Sequence, residues 1–161
     1  MTKPISTFTH EPLLIDIQQL INQSREKVAF AVNAELTMLY WKIGNRINVE
    51  ILKENRAGYG QGIIENLSRS LTAEYGRSFE EKNLRRMIQF AETFSDEKIV
   101  AALRRELIWT HFRSLIPIKD PLKRDFYAEM CRTERWSTRT LEKQIQSMLF
   151  ERTALSKNLR N

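Results

Sequence analysis

A long repeat of apolar and small residues near the N-terminus constrains the fold of this chain most strongly. From Glu11 to Glu54 these residues recur at steps of three and four, and the only proline, Pro12, suits the first turn of a helix. The repeat therefore predicts one long helix with a continuous apolar stripe. The stripe comprises Leu13, Ile17, Leu20, Ser24, Val28, Ala31, Val32, Leu36, Leu39, Ile43 and Ile47.

The stripe drifts around an ideal helix, which indicates either supercoiling against a partner or a break near Asn33. We expect one continuous helix, with or without a bend. A helix this long in a chain of 161 residues needs partner helices to cover it. Residues 1–57 are therefore predicted to form a long-helix region that supports a homodimer.

Glycine and proline punctuate the rest of the chain. Three of the five glycines lie in the segment Gly58–Gly62, which matches no phosphate-binding loop and predicts a flexible turn. No stretch alternates long enough to indicate a sheet, so the predicted fold class is all-α, a long N-terminal helix plus helix-turn-helix units. Further helices are predicted at 63–75, 79–94 (capped by Ser78, with Glu81 reaching back), 97–103, 106–115, 121–133 (capped by Asp120) and 138–152 (after a turn and cap at Trp136-Ser137-Thr138), with a polar linker starting at 156–161.

The first helix-turn-helix candidate is the predicted helix pair joined by Gly76, Arg77 and Ser78. The residue pattern of its second helix predicts an exposed face whose side chains contact base edges. The flanking arginines would contact phosphates. A solvated face of a structural hairpin is the alternative, and the acidic N-terminus of that helix counts against deep insertion into a groove. The base-contacting candidates are Lys82, Asn83, Arg86 and Gln89, and the phosphate-contacting candidates are Arg69, Arg77 and Arg85.

The second candidate unit spans residues 121–152, with a turn at Glu134-Arg135-Trp136. The following helix begins with Thr138, Arg139, Thr140, Glu142 and Lys143, of which Arg139 and Lys143 are predicted phosphate contacts. A structural hairpin anchored by Trp136 is the alternative. Together the two units make 58–155 the predicted DNA-binding region.

The charge balance and the cysteine content limit the kinds of partner and the cellular location that we expect for this chain. The chain has 26 Lys plus Arg against 20 Asp plus Glu, a net charge of +6, and a pI of about 9.6, which favour polyanions such as DNA. No apolar run is long enough to span a membrane, so no membrane partner is expected. The single cysteine, Cys131, excludes an internal disulfide and favours a cytoplasmic location.

Signatures of an enzyme are weak. His10 and His111 lie far apart and have no Cys or carboxylate at metal-ligand spacing, and His111 is expected to be packed or to cap a helix. Asp96-Glu97-Lys98 imitates a nuclease motif, but it interrupts helices and lacks a surrounding hairpin. The chain is therefore predicted not to be an enzyme, with no catalytic residue, metal site or cofactor.

Several segments resemble the N-terminal domain of YhcG-type bacterial proteins, which are assigned to the PD-(D/E)XK nucleases. The resemblance runs from about residue 12 to 157 and implies that a nuclease domain follows C-terminally, outside this chain. The segments are Asn33-Ala34-Glu35-Leu36, Tyr40-Trp41-Lys42-Ile43-Gly44, Tyr59-Gly60, Leu67-Ser68-Arg69-Ser70-Leu71, Phe79-Glu80-Glu81-Lys82-Asn83-Leu84-Arg85-Arg86-Met87 and Trp136-Ser137-Thr138-Arg139-Thr140-Leu141-Glu142.

A shorter segment, Trp109 to Glu142, is similar to the helical DNA-binding region of ParB-type partition proteins. This second resemblance also implies DNA binding by helix-turn-helix geometry. The expected function is a module that binds or positions DNA for a nuclease domain. The alternatives are a protein-protein interaction module of a restriction or defence complex and an RNA-binding domain, for which no aromatic stacking platform is evident.

Overall fold

A computed structural model describes residues 10–54 and 58–158, and every regular element in those ranges is helical. The all-α class is therefore confirmed. The α-helices are α1 Glu11–Lys53, α2 Tyr59–Tyr75, α3 Glu81–Thr93, α4 Glu97–Leu103, α5 Trp109–Leu115, α6 Pro121–Glu134, α7 Thr138–Gln146 and α8 Leu149–Asn158, with a 3-10 turn at Arg77–Phe79.

Helix α1 is one uninterrupted helix of 43 residues, as the apolar repeat predicts, and it passes Asn33 without a break. At 1.5 Å per residue it is about 65 Å long. Its two halves differ in environment. Every residue from Glu11 to Val32 is exposed, whereas buried residues first occur at Thr37 and Met38. The C-terminal half therefore belongs to the core, and residues 11–32 form a projecting arm.

The close crossing of α1 and α3 organises the core. A Cβ atom added to Gly44 would lie 1.8 Å from the backbone oxygen of Met87, so only glycine allows the two helices to approach this closely. Nearby, the indole Nε1 of Trp41 donates a 2.7 Å hydrogen bond to the carbonyl of Phe94. This buried bond fixes the end of α3 against α1.

Helix α3 contributes to two hydrophobic clusters. Leu84, Met87 and Ile88 pack with Ile47 of α1 and Ile64 of α2 in the smaller one. The larger cluster joins α1 and α3 to the helices that follow. Its buried members are Met38, Trp41, Phe90, Ala91, Phe94, Val100, Leu107, Phe112, Leu115, Ile116, Tyr127, Ala128, Cys131 and Leu141.

Polar contacts position α5 against its neighbours. The Asn33 side-chain oxygen accepts a 2.8 Å hydrogen bond from the backbone N–H of Trp109. His111 is buried, its Nδ1 accepts from the N–H of Ile108, and its Nε2 lies 2.7 Å from the carbonyl of Trp136. The imidazole therefore accepts at one nitrogen and donates at the other, and it caps α5 as expected.

Three predicted helix starts were wrong, including the start at 106, since residues 104–106 form a turn and α5 begins at Trp109. The segment Gly58–Gly62 is not a turn, because only Gly58 lies outside α2, with φ of 78° before Tyr59. Ser78 does not cap α3. It sits in the 3-10 turn, whose Phe79 packs edge-on against Tyr75, and α3 begins at Glu81.

The predicted helix 138–152 is two helices, because the chain turns at Met148 with φ of 59°. The Tyr127 hydroxyl spans the break, donating to the carbonyl of Gln144 and accepting from the N–H of Phe150. Predicted caps elsewhere are confirmed, since Asp120 accepts from the N–H of Leu122 and Ser137 accepts from Thr140. Helix α8 continues to Asn158, so the first residues of the predicted linker are helical.

Replacing Gly44 with alanine is expected to lower the free energy of unfolding by about 3 kcal/mol or more, because the added methyl meets backbone that has no rotamer to move. Chemical denaturation measures the change. Gly62→Ala is the matched control, since its Cβ would meet nothing within 4 Å in α2. That control should be more stable by about 0.5–1 kcal/mol. Equal effects from both substitutions would contradict the close crossing.

The stability of the chain is expected to decrease as the pH falls through the histidine range. Burial lowers the pKa of His111 from its ordinary value, with a smaller opposing effect from the Trp136 carbonyl. The unfolded chain therefore takes up the proton first, so the contribution of this residue is complete above about pH 6.5 and is lost below it.

Denaturation at several pH values above 5.5 or so, where most carboxylates remain ionised, isolates this effect. His111→Gln, which keeps His10 in place, should flatten the profile. A profile equally steep in the variant would show that His111 is not its source.

Candidate nucleic-acid interface

A polar cleft of about 590 Å³ lies between α3, α5 and α7. We call it the α3–α5–α7 cleft. It brings the two predicted helix-turn-helix units together, because α3 is the second helix of one unit and α7 the second helix of the other. The polar residues that line it are Arg86, Gln89, Thr110, Arg113, Ser114, Thr138, Glu142 and Gln146.

Helix α5 lines the cleft and connects the two predicted helix-turn-helix units. The hydroxyl oxygens of Thr110 and Thr138 are 2.6 Å apart, and the Ser114 hydroxyl donates to Glu142 at 3.0 Å. These two contacts hold α7 against α5 along one side of each helix. The cleft is therefore a consequence of tertiary packing and not of either hairpin alone.

The four predicted base-contacting residues of α3 differ in exposure. Lys82 and Gln89 are exposed, as predicted, but Asn83 and Arg86 are half-buried. Asn83 donates from its amide to the carbonyl of Arg77, and its side-chain oxygen accepts from Arg86 at 3.3 Å. At 100° per residue Asn83 lies toward the packed side of α3, whereas Arg86 stays on the side of Lys82 and Gln89 and is only less exposed than predicted.

The predicted phosphate contacts of the first unit are dispersed. Arg85 is exposed on α3, and its guanidinium donates to the side-chain oxygen of Gln61 on α2. Arg77 is exposed in the 3-10 turn, and Arg69 is exposed on α2. Arg69 lies about 140° around α2 from the buried Ile64, so it faces away from the packed side of α2.

The second unit presents its basic residues beside the cleft. Arg139 and Lys143 are exposed and are four residues apart on α7, so they lie on one side of that helix. Thr138 and Glu142 line the cleft itself. The second unit therefore offers two outward-facing cations next to the polar cleft.

Arg113 was missed in the sequence because α5 carries no run of basic residues. Its side chain is exposed and lines the cleft together with Arg86. Burial lowers the pKa of Arg86, and the neighbouring positive charge of Arg113 lowers it further. The two arginines are thus neighbours in the lining of the cleft, and both carry a positive charge.

Other parts of the described chain are less suited to a polyanion. A groove of about 730 Å³ between α1 and α2 is lined largely by apolar side chains such as Ile43, Ile63 and Leu67. Burial raises the pKa of the Cys131 thiol to about 12, so it is not a reactive thiolate. Within residues 10–54 and 58–158, no three His, Cys, Asp or Glu side chains are grouped to hold a metal ion.

None of the helices in those two ranges is long and apolar enough to cross a membrane.

The comparisons with known proteins concern the chain as a whole. Residues 16–152 match the model of the DUF1016 N-terminal domain. The chain is also similar to "Putative nuclease YhcG" of Escherichia coli (strain K12), with 33% identity over 171 aligned positions that cover 87% of this chain.

The aligned region is 45% of that relative, so the chain spans less than half of the relative's length. No solved structure shows a significant match. The family match nevertheless covers most of the chain and includes α3, α5 and α7, which form the cleft. The chain belongs to the family of DUF1016 N-terminal domains, the N-terminal region of YhcG-type proteins.

Proposed function

We propose that this chain is a DNA-binding module that positions DNA for a nuclease domain lying C-terminal to it in the full-length protein. The observation that supports this most is the α3–α5–α7 cleft, which is lined by two arginines without carboxylate partners in the described chain and lies between the two predicted helix-turn-helix units. The net charge of +6 supports it as well. The relative's name, with the word nuclease, supports a nucleic-acid substrate for the whole protein.

The basic residues around the cleft would hold the phosphate backbone, and Lys82 and Gln89 would face the base edges. Asn83 and Arg86 receive different roles from those predicted by sequence. Asn83 orients Arg86 through its side-chain oxygen, and Arg86 acts inside the cleft. The proposed phosphate contacts at the surface are Arg69, Arg77, Arg85, Arg139 and Lys143.

Catalysis in this proposal belongs to the part of the full-length protein outside this chain. The chain aligns with 45% of the relative, which leaves room for a separate nuclease domain. The module itself would contribute affinity and orientation, and no group in it is assigned to a chemical step. No cofactor is therefore proposed for this chain.

The projecting arm favours a second role in assembly. Large apolar side chains are exposed along it, with 66% of Leu20 and 61% of Val28 accessible. An isolated helix is marginally stable in water, and a long exposed apolar stripe usually marks an interaction surface. The arm therefore requires a partner.

We assign that partner to a second copy of this chain. Leu14, Ile17, Ile21, Ser24, Val28 and Ala31 follow steps of three and four, which is the seam of a two-helix coiled coil. Acidic Glu11 and Asp16 lie toward one end of the arm, and Arg25, Glu26 and Lys27, which together carry one net positive charge, lie toward the other. Antiparallel pairing of two arms would bring opposite charges together, so the proposed dimer is antiparallel.

Replacing Arg139 and Lys143 together with alanine should weaken binding to duplexes of any sequence. Two lost phosphate contacts should also flatten the plot of log affinity against log salt by about two units. Fluorescence anisotropy with a random duplex at several salt concentrations measures both quantities. Arg132→Ala is the matched control, because this exposed arginine of α6 is paired with Glu129 and lies outside the cleft. A parent chain that does not bind duplex DNA even at low salt would contradict the proposed function.

Replacing Ile17 and Ile21 with asparagine should convert a dimer into a monomer, since both residues lie in the proposed seam. Sedimentation across a concentration series measures the mass. The control is Leu122→Asn on α6, which is 70% exposed but lies outside the arm. If the parent chain remains a monomer at every concentration, self-association is rejected. The arm would then bind a different partner, such as the nuclease domain.

A further inference from the structure

Arg86 and Arg113 form a pair of like charges that the folded chain holds together. Both line the α3–α5–α7 cleft, and both also line a smaller cavity of about 110 Å³ that reaches Tyr40 and Trp109. The two arginines therefore border both spaces, with Arg86 half-buried and Arg113 exposed.

No carboxylate in residues 10–54 and 58–158 forms an ion pair with either arginine. The only protein group that accepts a hydrogen bond from Arg86 in those ranges is the side-chain oxygen of Asn83, at 3.3 Å. Two guanidinium groups carry ten N–H donors between them, so most of their donors remain available to a ligand. Their mutual repulsion also lowers the pKa of Arg86 beyond the effect of burial.

An anion between these groups would remove that repulsion. The geometry of phosphate suits guanidinium groups, because two parallel N–H donors can bind two of its oxygens. Thr110 and Thr138 add further donor capacity at the wall of the cleft. Their hydroxyl oxygens are 2.6 Å apart, and since that bond uses one hydroxyl proton, the other can be donated to a ligand.

We propose that Arg86 and Arg113 form a phosphate-binding site in the α3–α5–α7 cleft, and that its ligand is one phosphate of a nucleic-acid backbone. This site rests on the DNA-binding function proposed above. Asn83 is a positioning residue for it, because its side-chain oxygen holds the Arg86 guanidinium. Exposed Arg139 on α7 would hold the strand beside the cleft.

Among the described residues that line the cleft, Glu142 is the one with an acidic side chain, and it opposes the bound anion. The Ser114 hydroxyl of α5 donates to it at 3.0 Å, which holds the carboxylate against α5. Its negative charge therefore limits the affinity of the site. Neutralising it should strengthen phosphate binding, the opposite of removing an arginine.

The test measures affinity for a random duplex at constant ionic strength in Arg113→Ala, Arg113→Lys and Glu142→Gln. Arg113→Ala should bind about tenfold more weakly, as expected for one charge-assisted contact. Arg113→Lys keeps the charge but loses the planar fork, so it should recover only part of the affinity. Glu142→Gln should bind more tightly than the parent.

Thermal unfolding without DNA separates a binding role from a structural one. Arg113→Ala removes a repulsion and no hydrogen bond or ion pair recorded within the described ranges, so its Tm should equal or exceed that of the parent. A large fall in Tm would show that Arg113 is structural and would overturn the proposal. Asn83→Ala should weaken DNA binding in the same direction as Arg113→Ala, through the loss of orientation of Arg86.

Competition identifies the source of the phosphate. Sodium phosphate is compared with sodium chloride at matched ionic strength, in the parent and in Arg113→Ala. Phosphate that displaces the duplex better than chloride only from the parent supports a site that also accepts the free ion. Equal displacement by the two salts, with the affinity of Arg113→Ala still lowered, supports a site that needs the phosphate within a strand.

The outcomes also separate this site from the proposed function. If the Arg139 and Lys143 double variant binds weakly while Arg113→Ala and Glu142→Gln bind like the parent, DNA binding stands and the cleft site is overturned. If the parent does not bind duplex DNA, the proposed function fails as well.

Discussion

The close approach of α1 and α3 at Gly44 is the contact on which the rest of the structure depends. A Cβ at this position would lie 1.8 Å from the Met87 oxygen, so the two helix backbones touch without intervening side chains. Leu84, Met87 and Ile88 of α3 then pack among α1 and α2, while Phe90 continues into the larger cluster. One helix thereby links both clusters, and small displacements of α3 would disturb each of them.

The same packing determines which side of α3 remains available. Because α3 buries one side against α1 and α2, Lys82 and Gln89 stay exposed and Arg86 is directed to the edge beside α5. The His111 cap and the Thr110–Thr138 contact then bring α5 and α7 to the same edge. A polar cleft with two adjacent cations results from this sequence of contacts, and its chemistry suits a phosphate more than an apolar ligand.

Local patterns in the sequence predicted the helices well, and they predicted the cleft poorly. The apolar repeat gave the whole of α1, and the caps Asp120 and Ser137 gave the starts of α6 and α7, because both signals act within a few residues. The break at Met148 depends on the distant Tyr127 hydroxyl, which no local pattern reveals. Likewise, Arg113 meets Arg86 only through tertiary packing, so it was absent from the sequence-based candidates.

The most direct test of this account is to map the DNA-contacting surface of the isotope-labelled chain by NMR during titration with a short duplex. The account predicts that the largest changes in chemical shift occur along the α3–α5–α7 cleft and the exposed side of α7, with the arm, residues 11–32, unaffected by DNA. Changes confined to the arm or to the apolar groove between α1 and α2 would contradict it.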